Sequence, residues 1–489
     1  MSSNTTTILQ EIRVDFEQLV ALVTSPVAAS ATLDQMERSI FRRVLRLGRR
    51  LLELFLATRV AAESHQPYPC EHDRVLPYHS QQPASYFSVF GKLTLRRAYF
   101  YRAGHSHCPL DAALSLPARC YSDFLMELAS LLAVDGVFEK SLAVLARLLG
   151  LTLPKLALET WVREASANVT PFYAQIAAFP TEEEGRLLVA QADGKGVPMV
   201  RPATTPATVR RGKGAKKTRK KEALATTVYT IAPYRRTPQD LIEALFPTHS
   251  STVAPDRPQP CHKQVFASLN GKAWALRQLR ARVQQRDGRH IRARVALTDG
   301  AAALQQQMQA ALPDFTLVLD LLHVAEHLWR AGTALYGETD PQRAAWVKAQ
   351  LLEVLSSRAA GVIRHLRQKA GTLRKSSQAY KVLQRVANYL DRNRPYMNYA
   401  TYLKRGWPIG TGVIEGVCRH LVKDRMELSG MRWTVAGAEA VLALRAVHEN
   451  GDWDAFHAFR RASDHEERYG APLPTAWIDQ AERLEIKGF

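Results

Sequence analysis

Leu187-Leu-Val-Ala-Gln-Ala-Asp-Gly194 decides how this chain is read. A short apolar run gives way to Gln-Ala-Asp and then glycine. That is the pattern of a buried strand delivering a carboxylate at its end, with room for a ligand beside the backbone. It returns at Arg294-Val-Ala-Leu-Thr-Asp299-Gly300 and at Phe315-Thr-Leu-Val-Leu-Asp320. Met199-Val200 resumes an apolar character after Gly194-Lys195-Gly196, which predicts a hairpin, and Thr226 to Ile231 predicts another strand. Helical patterns follow the Asp299 and Asp320 segments. Strands alternating with helices after an initial antiparallel hairpin predict an α/β sheet of mixed direction.

Working outward, Pro180-Thr-Glu-Glu-Glu-Gly185 is a polar break that separates this core, residues 185–335, from what precedes it. Residues 1–65 read as a helical region. Met36, Ile40, Val44, Leu47, Leu51 and Leu54 recur at spacings of three and four, the stripe of an amphipathic helix that either pairs subunits or docks on its own domain. Residues 66–120 read as a small β-hairpin module, with strands at 86–90 and 93–101 around Gly91-Lys92. Cys70, His72, His105, His107 and Cys108 flank it. These are zinc-ligand types, but no C-x-x-C pair is present, so Cys70, His72, His105 and Cys108 stand either as zinc ligands or as a degenerate module.

Residues 121–180 contain three helical patterns, at 122–134, 138–149 and 154–165, punctuated by Gly150 and Pro154. They fit a helix-turn-helix offering Lys155 and Arg163 to DNA, and equally a packed bundle. Beyond the core, 336–407 is a basic, strand-free helical insert, and 408–450 returns to the core with a helix carrying Glu415. Residues 451–489 read as a C-terminal tail.

Lysine and arginine number 66 against 46 aspartates and glutamates, a net charge of +20. Such an excess destabilises a compact chain and is useful only against a polyanion, so DNA is the expected partner. Arg210, Arg211, Lys216, Lys217, Arg219 and Lys220 crowd one segment too charged to bury, and Lys195, Arg419, Lys423 and Arg425 flank the acids. Neither a secretory signal nor an apolar run long enough to span a bilayer is visible, and five scattered cysteines are no disulfide framework. A cytoplasmic, nucleoid-associated protein that does not enter a membrane is expected.

Asp193, Asp299 and Glu415 supply the carboxylate oxygens that hard Mg²⁺ or Mn²⁺ prefers, and two such ions are the usual means of cutting a phosphodiester. Arg419 and Lys423 follow Glu415 at helical i, i+4 spacing, which sets phosphate-binding groups beyond a metal ligand.

The blocks ADGKGVPMVR, ALTDGA, LDLLHVAEHLW, WPIGTGVIEGVCRHLVKDRME and SGMRWTVAGAEAVLALRAV, in order from 191 to about 447, resemble those of bacterial insertion-sequence transposases of the Kra-type family, relatives of the Mutator-like DDE transposases. The resemblance implies a ribonuclease H-like catalytic core with an all-helical insert, preceded by α-helical and small β modules. It implies Asp193, Asp299 and Glu415 as the three acids and an oligomer that holds two DNA ends. Asp320-Leu-Leu-His323 matches the family's Cys-or-Asp, two residues, then His signature, so Asp320 competes with Asp299 as second acid and His323 joins the catalytic candidates. Two other readings remain at this stage: a DNA-binding protein without catalysis on the same scaffold, and a zinc metallopeptidase using His323-Val-Ala-Glu326-His327.

Overall fold

The computed structural model describes residues 3–70, 74–200, 220–247 and 257–473. It forms two compact units, Met1–Phe172 with Trp453–Phe489, and Tyr173–Asp452.

In the first unit α1 (Ser3–Thr24) and α2 (Leu33–Ala61) form a hairpin, α2 opening on a capping box between Thr32 and Gln35. Arg50 reaches across to Glu11 and Asp15, so the two helices run antiparallel. β1 (Tyr68–Cys70) pairs with β2 (Arg74–Leu76), and β3 (Tyr78–Ser88), β4 (Gly91–Arg102) and β5 (His105–His107) make an antiparallel sheet. The β3–β4 turn uses Gly91 at φ 109°, a value that favours glycine. The helices α3 (Pro109–Ala113), α4 (Asp123–Asp135), α5 (Phe138–Leu149) and α6 (Lys155–Ala167) follow, then α7 (Val169–Gln175), within which the boundary between the units falls. Leu125, Ala129, Leu158, Trp161 and Val162 are buried between α4 and α6, so this region is a packed bundle whatever else it does. Lys155 is engaged with Glu139 and Glu159.

One segment departs from the sequence reading. Residues 453–469 are no tail but a helix, the last among the described residues, and it belongs to this unit. It buries Trp453, Phe456, His457 and Arg460, recurring at three and four, with Phe456 against Phe172 and Arg460 on Asp123. The many charges on its other face obscured that stripe.

The second unit is built on a five-stranded sheet of β6 (Leu187–Pro198), β7 (Lys220–Ile231), β8 (Cys261–Ser268), β9 (Ala293–Thr298) and β10 (Thr316–Leu319). Their order is β10-β9-β6-β7-β8; β6, β7 and β8 are antiparallel, while β9 runs parallel to β6 and β10 parallel to β9. The mixed direction agrees with the sequence pattern. The expected turn at Gly194-Lys195-Gly196 does not form: β6 runs on, Gly194 opposite Leu224 and Gly196 opposite Glu222. These glycines make room, because a Cβ at 194 would strike the Glu222 side chain and one at 196 would crowd Lys220. β8 escaped the sequence reading because its first half, Cys261-His-Lys-Gln, lacks apolar residues.

Alternate residues of β6 serve opposite faces. Leu188 and Ala190 pack with Leu276, Leu279, Leu304 and Met308 of α9 (Lys272–Arg286) and α10 (Ala302–Ala311), which follow α8 (Pro238–Leu245). Leu187 and Val189 pack on the other side with α11 (Leu321–Tyr336) and the helical insert, α12 (Pro341–Leu355), α13 (Ala359–Gly371), α14 (Gln378–Asn393) and α15 (Tyr399–Arg405). The chain then returns to the sheet as α16 (Gly412–Val417), a π-helical turn at Cys418–Lys423, α17 (Asp424–Met426) and α18 (Val435–Glu449), before the helix of the first unit already described, α19 (Trp453–Tyr469). A buried ion pair locks the entry to β6: Arg286 holds Glu184 with both side chains almost wholly enclosed, and it also donates to the carbonyls of Val228, Cys261 and His262. No helix among the described residues is long and apolar enough to cross a membrane.

Candidate functional site

β6 and β9 run parallel and pair as far as Gln191 and Leu297, so Asp193, within β6, and Asp299, just after β9, each lie two residues beyond the last pair. Asp193 is half-buried on β6 and accepts from the N–H of Gly194 at 2.7 Å. Burial pushes its carboxyl above the usual carboxylate range, and the nearby negative charge of Asp299 adds to that. Asp299 follows β9, accepts from the N–H of Ala301 at 2.9 Å, and is held through its own carbonyl by the Tyr389 hydroxyl of the insert.

Glu415 arrives from α16, whose placement depends on two residues not singled out in the sequence. Gln191, wholly buried on β6, accepts from the N–H of Ile414 at 3.0 Å and donates to the Tyr229 hydroxyl, pinning α16 to the strand that carries Asp193. Its amide in an otherwise apolar strand was the available signal. Cys418, one turn beyond Glu415, donates its thiol to Asp193 Oδ2 at 3.4 Å, and burial beside that carboxylate holds the thiol protonated.

Asp320 and His323 complete the edge. Asp320 is wholly buried and caps α11, accepting from the His323 N–H at 3.0 Å and from His323 Nδ1 at 2.6 Å through Oδ2, while Oδ1 accepts from the Thr411 N–H at 2.9 Å. Burial raises its pKa, but these hydrogen bonds outweigh that and leave it below the ordinary value. The hydrogen bond to Asp320 correspondingly raises His323, with Asp299 and Glu415 contributing. Thr411 in turn donates to Glu415 Oε1 at 3.2 Å. Ligand atoms of Asp320, His323 and Glu415 all lie within 4.8 Å of one another, and they are the metal-capable group among the described residues.

The cationic candidates divide. Lys220 opens β7 rather than lying in a loop, and it pairs with Glu427, whose carboxyl is lowered first by that bond and further by Lys195 and Lys423. Lys195 on β6, Lys220 on β7 and Lys423 at the end of the π-helical turn are thus gathered near one carboxylate. Arg419 is exposed, but the i, i+4 face expected for Glu415, Arg419 and Lys423 is broken, because residues 418–423 form a π-helical turn. Arg445 donates to the His420 and Leu421 carbonyls within that turn. Arg425, expected to meet DNA, is instead wholly buried, lies over the Trp433 ring at 4.8 Å and donates to the Met431 sulfur, so it offers nothing to DNA. Arg210, Arg211, Lys216, Lys217 and Arg219 lie outside the described residues.

Of the zinc candidates, His72 and the Cys70 side chain lie outside the described residues; His105 is on β5, and Cys108 immediately precedes α3 without capping it through its side chain, its thiol pKa raised by burial. The peptidase triad is not assembled. His327 stacks on Tyr389 with ring centroids 3.7 Å apart, Glu326 pairs with Arg330, and neither joins His323 in the metal-capable group.

What fold and site define together is a mixed α/β protein with a carboxylate and histidine cluster on the C-terminal edge of its central strands. No protein-family model matches the chain, and no curated protein matches it in sequence. Among solved structures it is similar to the chain in the "Drosophila P element transposase strand transfer complex", at 10% sequence identity over 76% of this chain and 88% of that one, with a TM-score of 0.24. A likeness at that score carries no weight for fold or function.

Proposed function

We propose that this protein is a DNA transposase that cleaves and joins DNA by the DDE mechanism on a ribonuclease H-like core. What supports the reading is the neighbourhood of His323: its ligand atoms group with those of Asp320 and Glu415, Asp299 and Asp193 lie close enough to share its electrostatics, and Lys195, Lys220 and Lys423 gather around Glu427. Three antiparallel strands, then two parallel strands added on the side of the first, support the ribonuclease H-like assignment, and so does the helical insert between the second and third acids. The sequence blocks that resemble insertion-sequence transposases contain these same acids.

The residues suit divalent cations. None of the Asp193, Asp299 or Glu415 carboxylates is engaged by a lysine or arginine among the described residues, and all three offer the hard oxygens that Mg²⁺ or Mn²⁺ takes. Two such ions would neutralise the attacking and leaving oxygens of a phosphodiester. Asp299 fits the second acid better than Asp320, whose two oxygens are already used by Thr411 and His323. Asp320 instead orients His323 through Nδ1, leaving the other ring nitrogen for a DNA phosphate or a proton. Lys195, Lys220 and Lys423 neutralise the strand being cut.

In this reading water attacks the phosphodiester at an element end, and the freed 3′-hydroxyl then attacks a target phosphodiester. Because two ends must be held, the protein acts as an oligomer on DNA. The test is Mn²⁺-dependent nicking of duplex DNA carrying the element's ends: Asp193→Asn, Asp299→Asn and Glu415→Gln should each abolish nicking while DNA binding persists. Nicking that survives all three substitutions would overturn the proposal. Binding without nicking in the parent protein would leave a non-catalytic DNA-binding protein.

A further inference from the structure

The α1–α2 hairpin carries a second apolar seam that its own partner helix does not use. The seam between the helices is made by Ile8, Ile12, Leu19 and Leu22 with Met36, Ile40, Leu47 and Leu54, all partly covered, and by the Arg50 bridge to Glu11 and Asp15. One residue further on, at the same spacings of three and four, Phe16, Val20 and Val23 of α1 and Phe41 and Val44 of α2 are between 43 and 54% exposed. In an antiparallel pair a step of one residue turns both stripes toward the same side of the hairpin, so these side chains form one patch.

Its extent is unusual for this protein. Of the 21 exposed large apolar side chains among the described residues, ten lie between Val14 and Phe55, and no residue of α2 is buried. Two antiparallel helices with heptad-spaced apolar stripes on a shared outer face are half of a four-helix bundle.

We infer that this face pairs with the same face of a second copy of the chain. The charges favour that occupant. α1 carries Glu11, Asp15 and Glu17 against Arg13, whereas α2 carries seven arginines against Asp34, Glu37 and Glu53. Setting α1 of one copy on α2 of the other brings Glu17, beside Phe16, toward the exposed Arg42 and Arg46, which flank Phe41 and Val44. A two-fold axis makes that contact twice. The pairing needs no DNA and does not rest on the transposase reading.

The experiment is the mass of the full-length protein by analytical ultracentrifugation at micromolar concentration, without DNA and in salt high enough to suppress its net charge. The parent should sediment as a dimer. Val20→Glu and Val44→Glu, at exposed positions on different helices, should each halve the mass with the far-ultraviolet circular dichroism unchanged, while Val144→Glu on α5 should leave the dimer intact. A monomeric parent overturns the inference, as does a dimer indifferent to Val20→Glu and Val44→Glu. So would a monomer whose patch instead binds anionic phospholipid vesicles.

Discussion

The thiol of Cys418 lies 3.4 Å from Oδ2 of Asp193, a residue 225 positions earlier in the chain. This contact joins the helix of Glu415 to the strand of Asp193, so the spacing between two proposed acids depends on a cysteine with no reactive role. Burial and the neighbouring carboxylate hold the thiol protonated, which makes it a donor to Asp193. Cys418→Ser, which keeps a donor, should retain metal-dependent nicking. Cys418→Asp should abolish it by setting a like charge against Asp193; single-turnover nicking assays compare the two.

Asp320 and Asp299 should separate by phenotype. Asp299→Ala removes a half-buried acid that holds one exposed N–H, that of Ala301, and should cost activity with little change in stability. Asp320→Ala removes the α11 cap and leaves the Thr411 N–H buried without its acceptor, a loss of about 3 kcal/mol in unfolding free energy. Urea denaturation of both variants measures the difference; equal stability would return Asp320 to the position of second acid.

Glu184 and Arg286 form a pair with side chains 2% and 1% exposed. Glu184→Gln leaves the guanidinium enclosed without a counter-charge, so the second unit should lose about 3–5 kcal/mol. Replacing both partners with apolar residues should cost less than Glu184→Gln alone. Chemical denaturation of the single and double variants checks the order.

His457 gives the first unit an acid sensitivity. Burial, with Arg460 and Arg461 close by, lowers its pKa to about 3. Glu127 stands 4.0 Å from Nδ1, too far to hydrogen-bond, and is already engaged by Arg461. Below the unfolded histidine pKa of about 6.5 the unfolded chain takes up a proton that the folded unit refuses. Stability contributed by His457 is therefore complete above that pH and falls by about 1.4 kcal/mol per pH unit toward pH 3. His457→Leu should match the parent near pH 8 and become progressively more stable than it on acidification, as read from urea midpoints across the range.

The strands that carry Asp193 and precede Asp299 and Asp320, the helical insert and the strong positive charge were legible in the sequence, because short apolar runs closed by Asp and long amphipathic stripes are local patterns. The sequence also brought out Glu415 and His323 as candidates through the surrounding blocks. It misplaced a turn at Gly194, where glycine serves close packing between strands, and it missed β8 and α19, whose apolar faces are thinly marked.

Which side chains meet was not legible in the sequence and follows from the packing of the folded chain. Gln191 pins α16, Cys418 touches Asp193, Asp320 spends its oxygens on His323 and Thr411, and Arg425 turns inward onto Trp433. These are contacts between residues far apart in the chain, fixed by strand order and helix packing. Local periodicity reports which face of an element is apolar and carries no record of which other element that face will find.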